Sequence, residues 1–185
     1  MIVLVLGSAA TVVGDVTALP GDTERAYIVG VNRVGIHFPY MDHWASLHPE
    51  CFHRDRGGPG WLLQRAERGH GTFPVTWGPA SKPGTASCTL ATAGRGSSGY
   101  FGVEVAKHLG ADRIVLCGIP MTPTEHFDGD EPWEMANAHW KHWLREHERG
   151  KLDGVRSMSG RTRDLLGAPT TEWLRGSAVT TGDAR

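Results

Sequence analysis

Neither sign of charge dominates this chain of 185 residues: 19 lysines and arginines stand against 20 aspartates and glutamates, a formal net charge of −1. That balance gives no electrostatic footing for wholesale binding to nucleic acid or to an anionic membrane surface. Cysteine is scarce. Cys51, Cys88 and Cys117 are odd in number and far apart, which argues against a disulfide framework and a paired-cysteine zinc site. They read as free thiols in a reducing compartment. Long apolar runs are missing as well. The opening MIVLVL meets Gly7 with no basic segment ahead of it, too early for a signal peptide or a membrane span. A soluble, cytoplasmic protein is expected, with no membrane partner; the oligomeric state is open, a homo-oligomer included.

Several catalytic signatures are absent too. The first strand is followed only by Gly7 and Gly14, not by a dinucleotide fingerprint, so no nicotinamide or flavin cofactor is expected. There is no HExxH, CxxC or Cys/His quartet, and no GxSxG elbow. His139 and His142 share a helix face, but the tryptophans beside them explain that helix as a core element, and no metal site is expected. Asp128, Asp130 and Glu131 are acidic enough to hold a divalent ion beside a phosphate, without any specific spacing.

What is present is glycine at turns, ten histidines and seven tryptophans. The stretch GRGSSGYFGVEVAKHLGADRIVLCGIPM, residues 94–121, organises the rest. Val103, Ala106 and Leu109 recur at helical spacing, Gly110 stops the helix, and Ile114 to Cys117 is a short apolar strand covered on both faces. Ahead of the helix, Gly94, Gly96 and Gly99 let backbone approach a ligand, while Ser97 and Ser98 can cap the helix or donate to an anion. The free N–H groups and dipole of the first turn favour negative charge there, and Arg95 can add a full charge. The plainer reading is an N-cap and a turn.

In chain order, Ile2 to Leu6 reads as a central strand ending in Gly7-Ser8-Ala9-Ala10, at the carboxyl end where ligands of open α/β sheets sit. Val12 to Leu19 is a short helix. Ala26 to Val31 is a second strand running into Asn32, whose amide either reads a ligand or caps the following helix. His43 to Leu47 is a third strand, Trp61 to Arg68 a helix, Val75 to Trp77 and Thr85 to Thr89 further strands. Residues 120–132 form a loop at another carboxyl strand end, with Thr122, Thr124, Glu125, His126 and Asp128 among its polar groups. Trp133 to Arg149 is a helix presenting Trp133, Ala136, Trp140, Trp143, Leu144 and His147 on one face. Leu152 to Val155 reads as an edge strand and Arg161 to Leu166 as a last helix.

The strand ending in a Gly-Ser turn (VLVLGSAATV), the strand ending in Asn (VGVN) and the segment SSGYFGVEVAKHLGADRIVLCGIPM together resemble the compact bacterial sialyltransferases of glycosyltransferase family 42. They also resemble the related motility-associated, pterin-diphosphokinase-like Rossmann proteins. The resemblance covers Ile2 to about Met121, with a gap in the middle. It implies a nucleotide site at Gly7, Ser8, Asn32, Ser97, Ser98 and Gly99, which the glycine turn extends to Gly96, with a nucleotide-sugar, CMP-linked in that family, as donor substrate and no resident cofactor. The chain departs from the family where the chemistry lies: its late loop PMTPTEHFDG has no tyrosine, and VRSMSGRTRDLL has no histidine. From the residues present, His126 is the candidate base, Asp128 its orienting partner or substitute, and Arg161, Arg163 and Ser159 candidate phosphate contacts.

The expected architecture is an α/β, Rossmann-like, mostly parallel sheet with helices on both faces, one domain over residues 1–176 and a flexible tail over 177–185. The expected function is a nucleotide- or nucleotide-sugar-binding, glycosyltransferase-like enzyme. Two alternatives stand beside it: another nucleotide-dependent phosphoryl or diphosphoryl transferase, and a non-catalytic binding module on the same fold.

Overall fold

A computed structural model describes residues 1–23, 26–70, 74–91, 96–129 and 134–176. Gly94, Arg95, Asp130, Glu131, Trp133 and the tail 177–185 lie outside the described residues. In chain order the elements are β1 (Ile2–Leu6), α1 (Val12–Thr17), β2 (Tyr27–Val31), α2 (Val34–His37), β3 (His43–Ala45), β4 (Arg54–Asp55), β5 (Gly58–Pro59), α3 (Trp61–Glu67), β6 (Val75–Pro79), β7 (Cys88–Leu90) and α4 (Ser98–His108). There follow β8 (Arg113–Cys117), α5 (Ala136–Glu148), β9 (Val155–Ser157), α6 (Gly160–Leu166) and α7 (Thr171–Arg175).

Seven strands form one sheet in the order β7-β6-β3-β2-β1-β8-β9, and every pairing in it is parallel. This is a Rossmann-like α/β architecture. Strand residues alternate between two apolar layers, as a period of two requires. Val3 and Val5 of β1 pack with Phe101 and Val105 of α4 and Trp143 of α5. Leu4 and Leu6 face the other way, toward Val12 of α1 and Leu174 of α7. Burial on both faces explains why β1 and β8 read as unbroken apolar runs. A third cluster, with Trp44, Phe52 and Trp61 at its centre, fills the space beneath α2 and α3.

The chain runs outward from β1 to β7 on one side, then returns through α4 to β8 on the other side of β1. The order therefore reverses between β1 and β8, and a crevice at the carboxyl ends of the strands follows from that reversal. Gly7 and Gly118 make the crossing tight: a Cβ on Gly7 would collide with the Gly118 carbonyl oxygen and stand 2.5 Å from Ile119 Cγ1. Gly118 has φ of 68°, a conformation that favours glycine.

One expectation needs adjusting, and two elements go beyond the sequence reading. Leu144 of α5 is 36% exposed, and the inner face instead holds Ala136, Trp143 and Glu146. Glu146 tolerates that position because its carboxylate takes the Tyr100 hydroxyl and Arg149 Nη1, at 3.4 and 2.9 Å. The small β4–β5 hairpin was not legible as strands, since two residues a side leave no period to read. Helix α7, capped by Thr170, was also missed. No described helix is long and apolar enough to cross a membrane.

Candidate functional site

Two adjoining cavities open at the carboxyl ends of the strands. The narrower, about 110 Å³, is walled by Gly7 and Ser8 after β1, Asn32 after β2, Ser97 to Gly99 at the start of α4, Gly118 to Thr122 after β8, and His126. The larger, about 480 Å³, shares Asn32, Ser97 and Ser98 with it and extends past Gly96 to His48, Lys82 and His139. Segments as far apart in the sequence as Gly7 and His126 thus meet at one place.

Asn32 stands at the junction with φ of 55°, a conformation asparagine adopts more readily than bulkier residues. Its side chain does not cap α2. The Ser46 hydroxyl donates to Asn32 Oδ1 at 2.8 Å, and Ser46 Oγ in turn accepts the His48 N–H at 2.9 Å. Ser46 is fully buried, so this relay fixes the amide's orientation and leaves Nδ2 as the donor available to a ligand. The cap on α2 comes from elsewhere: Ser8 Oγ accepts the Val34 N–H at 3.1 Å, while its proton points to the Val31 carbonyl at 3.4 Å.

Ser97 is the N-cap of α4, accepting from the Tyr100 N–H at 3.3 Å and from Trp143 Nε1 at 3.2 Å. Its hydroxyl is committed to the core, while the rest of Ser97 and the first turn of α4 line the cavities. Ser98 Oγ lies 3.5 Å from the Leu47 N–H. Gly99 packs against Ile119, where a Cβ would come within 2.9 Å of Cγ2. Gly96 has φ of 97° and touches the His142 ring, so any side chain there is excluded twice over.

His126 is held against the end of β1 by two backbone bonds, Ala10 N–H to Glu125 O at 2.9 Å and Phe127 N–H to Ser8 O at 3.0 Å. Its Nδ1 is buried with no hydrogen-bond partner among the described residues. The expected His126–Asp128 pair does not form. Asp128 Oδ2 takes Arg33 Nε at 2.9 Å and lies 3.6 Å from His37 Nε2, and Arg33 Nη1 reaches on to Asp55 at 3.1 Å. A fixed guanidinium fork matches a buried carboxylate better than a single imidazole nitrogen does. Asp128 therefore fastens the His126 loop to the start of α2. Burial above all lowers the His37 pKa, with Arg68 adding to the effect and Asp128 opposing it.

Arg161 is not on either cavity wall. Its Nη1 donates to Asn137 Oδ1 at 2.6 Å and its guanidinium lies over Trp140 at 5.9 Å. Ser159 is occupied by Asp15, whose buried carboxylate accepts its hydroxyl at 2.7 Å and the Gly118 N–H at 2.8 Å. The residues that sequence reading missed are Ser46, His48 and Lys82. Each lies one to three positions past a parallel strand's end, after β3 or β6, so the rule that drew attention to Asn32 would have found them too.

Among the described residues no group of three or more histidine, cysteine, aspartate or glutamate side chains is arranged to hold a metal ion. Comparison with protein-family models finds no match, and comparison with curated proteins finds none.

Proposed function

We propose that the crevice binds a nucleotide or nucleotide-sugar and that the protein is a glycosyltransferase-like enzyme. The observation that carries this reading is the convergence of Gly7-Ser8, Asn32, Ser97 to Gly99 and His126 on two adjoining cavities at the reversal of strand order. The first turn of α4 supplies N–H groups without intrahelical partners and the positive end of a dipole. Asn32 Nδ2, oriented by Ser46, supplies a fixed donor. Among the described residues His126 supplies the one imidazole on the narrow cavity's wall, suited to take a proton from an acceptor hydroxyl.

A thermal-shift panel of CMP, CMP-sialic acid, UDP, GDP and ATP tests the reading. Ligand at 100 times its dissociation constant adds about 2.7 kcal/mol of stability. Stabilisation by one nucleotide or its sugar conjugate, but not by ATP, is expected. A flat response to every compound favours a binding module that lacks this chemistry. With a productive donor in hand, His126→Ala lowers turnover while leaving donor affinity close to wild type.

A further inference from the structure

The two cavities differ in what they can hold. The narrow one is mainly apolar, floored by the Gly7–Gly118 crossing, and too small for a whole nucleotide, since ligand sites run to roughly 300–1,000 Å³. The larger one, about 480 Å³, is of the right size, and its wall carries Lys82, His48 and His139 with no carboxylate among the described residues. Glu50 stands outside that wall and tethers two of these groups: Lys82 Nζ is 2.9 Å from Oε2 and His48 Nδ1 is 3.5 Å from Oε1. Gly78 makes this arrangement reachable, because a Cβ there would stand 2.9 Å from Pro49. Without that close approach, the turn bearing His48 and Glu50 would stand off from the strand leading to Lys82.

We propose that the larger cavity is the phosphate subsite, seating the nucleotide end of the ligand against Lys82, His48 and Asn32, and that the narrow cavity beside His126 takes the group to be transferred. This seating rests on the nucleotide reading and gives it a direction. Lys82 donates to the phosphate from the outer rim, Asn32 from the junction, and His126 is left on the far side of the scissile bond.

Isothermal titration with cytidine, CMP and inorganic pyrophosphate, on wild type, Lys82→Met, Glu50→Gln and His126→Ala, tests it. A charge-assisted hydrogen bond of about 1.5–3 kcal/mol corresponds to a loss of roughly tenfold or more. Lys82→Met is therefore expected to weaken CMP and pyrophosphate by at least about tenfold and to leave cytidine unchanged. Glu50→Gln, which frees Lys82 from its tether, strengthens both anions, and His126→Ala leaves CMP affinity unchanged. If CMP binds and Lys82→Met has no effect, the subsite is overturned while the nucleotide reading stands. If pyrophosphate binds in a Lys82-dependent way and CMP binds no better, the subsite stands and the nucleotide reading falls. If neither anion binds, both fall. Lys82 is 37% exposed in its side chain, and unchanged urea midpoints for the variants separate lost binding from lost folding.

Discussion

Adding one methyl group at each of three glycines tests whether the Gly7–Gly118 crossing is what holds the crevice floor together. None of Gly7, Gly99 and Gly14 has a positive φ, so alanine is sterically allowed by the backbone at each, and only the surroundings differ. At Gly7 the new Cβ meets the Gly118 carbonyl oxygen and Ile119 Cγ1. The oxygen belongs to backbone and cannot rotate away. Relief requires the ends of β1 and β8 to part, which strains Gly7 N–H to Cys117 O and Ala9 N–H to Gly118 O, at 2.8 and 3.2 Å. Two backbone bonds at about 1 kcal/mol each, with about 1–3 kcal/mol of overpacking, give a cost of roughly 3–5 kcal/mol. Gly99→Ala meets Ile119 Cγ2 at 2.9 Å, the branch methyl of a side chain that is stiff about χ1 but that can shift as a whole by a few tenths of an ångström without parting two backbone strands. Its cost is about 1 kcal/mol, partly offset by the gain of alanine over glycine in a helix. Gly14 has nothing within 4 Å and lies on the exposed face of α1, so Gly14→Ala is neutral or stabilising by about 0.5–1 kcal/mol.

The assay is urea unfolding followed by tryptophan fluorescence, with the slope against denaturant held common if the variants allow it. The expected order of midpoints is Gly14→Ala, then Gly99→Ala, then Gly7→Ala well below. Gly7→Ala equal to or above Gly99→Ala would refute the reasoning, because it would mean that the two strand ends are free to separate.

Ser46→Ala removes the hydroxyl between Asn32 and His48, costs about 1 kcal/mol for each of the two hydrogen bonds lost, and weakens CMP binding; intact binding would take Asn32's orientation out of the site. Arg33→Ala strips a donor from each of Asp128 and Asp55 and costs about 3 kcal/mol by the usual penalty for breaking a buried pair, with an increased rate of hydrogen exchange at Phe127 as the local readout. Burial, ahead of every other cause, lowers the pKa of His37, His43 and His142. The unfolded chain therefore takes up protons first, and stability falls as pH drops below about 6.5 until the folded-state groups protonate as well. Urea midpoints taken from about pH 7.5 to 5 should show that fall, and His43→Gln, which removes one of the three, should make it shallower.

Much of the architecture was legible because both of its cues are local. A run such as Ile114 to Cys117 is buried on two faces and reads as a parallel strand without any knowledge of its neighbours. Ser97 before Tyr100 reads as a cap for the same reason. The site was legible only as a set of strand ends, and the side chains' commitments were not. Ser97 looks like an anion ligand in sequence, yet Trp143, 46 positions later, takes its hydroxyl into the core. Asp128 looks like the partner of His126, yet Arg33, 95 positions earlier, wins it. The α5 face was misjudged at Leu144 because the partner that makes Glu146 tolerable inside is Tyr100, on another helix. Long-range pairings of this kind leave no trace in spacing.

The two ends of the crevice are held by different parts of the fold, and that separation has a chemical consequence. His126 hangs from Ser8 and Ala10 by backbone bonds and is locked through Asp128 to Arg33, so its position follows the β1–β2 side. The floor beneath it is fixed by the Asp15 carboxylate, which draws the Gly118 N–H and the Ser159 hydroxyl toward α1. Lys82 and His48 are set instead by the turns after β6 and β3, pressed together at Gly78. Asn32 belongs to both systems, through its place after β2 and its bond to Ser46, and Ser98, on both cavity walls, reaches the Leu47 N–H after β3. A change at Lys82 or Glu50 can therefore alter how strongly an anion is held without moving the imidazole. A change at Ser46 disturbs Asn32, which stands where the two cavities meet.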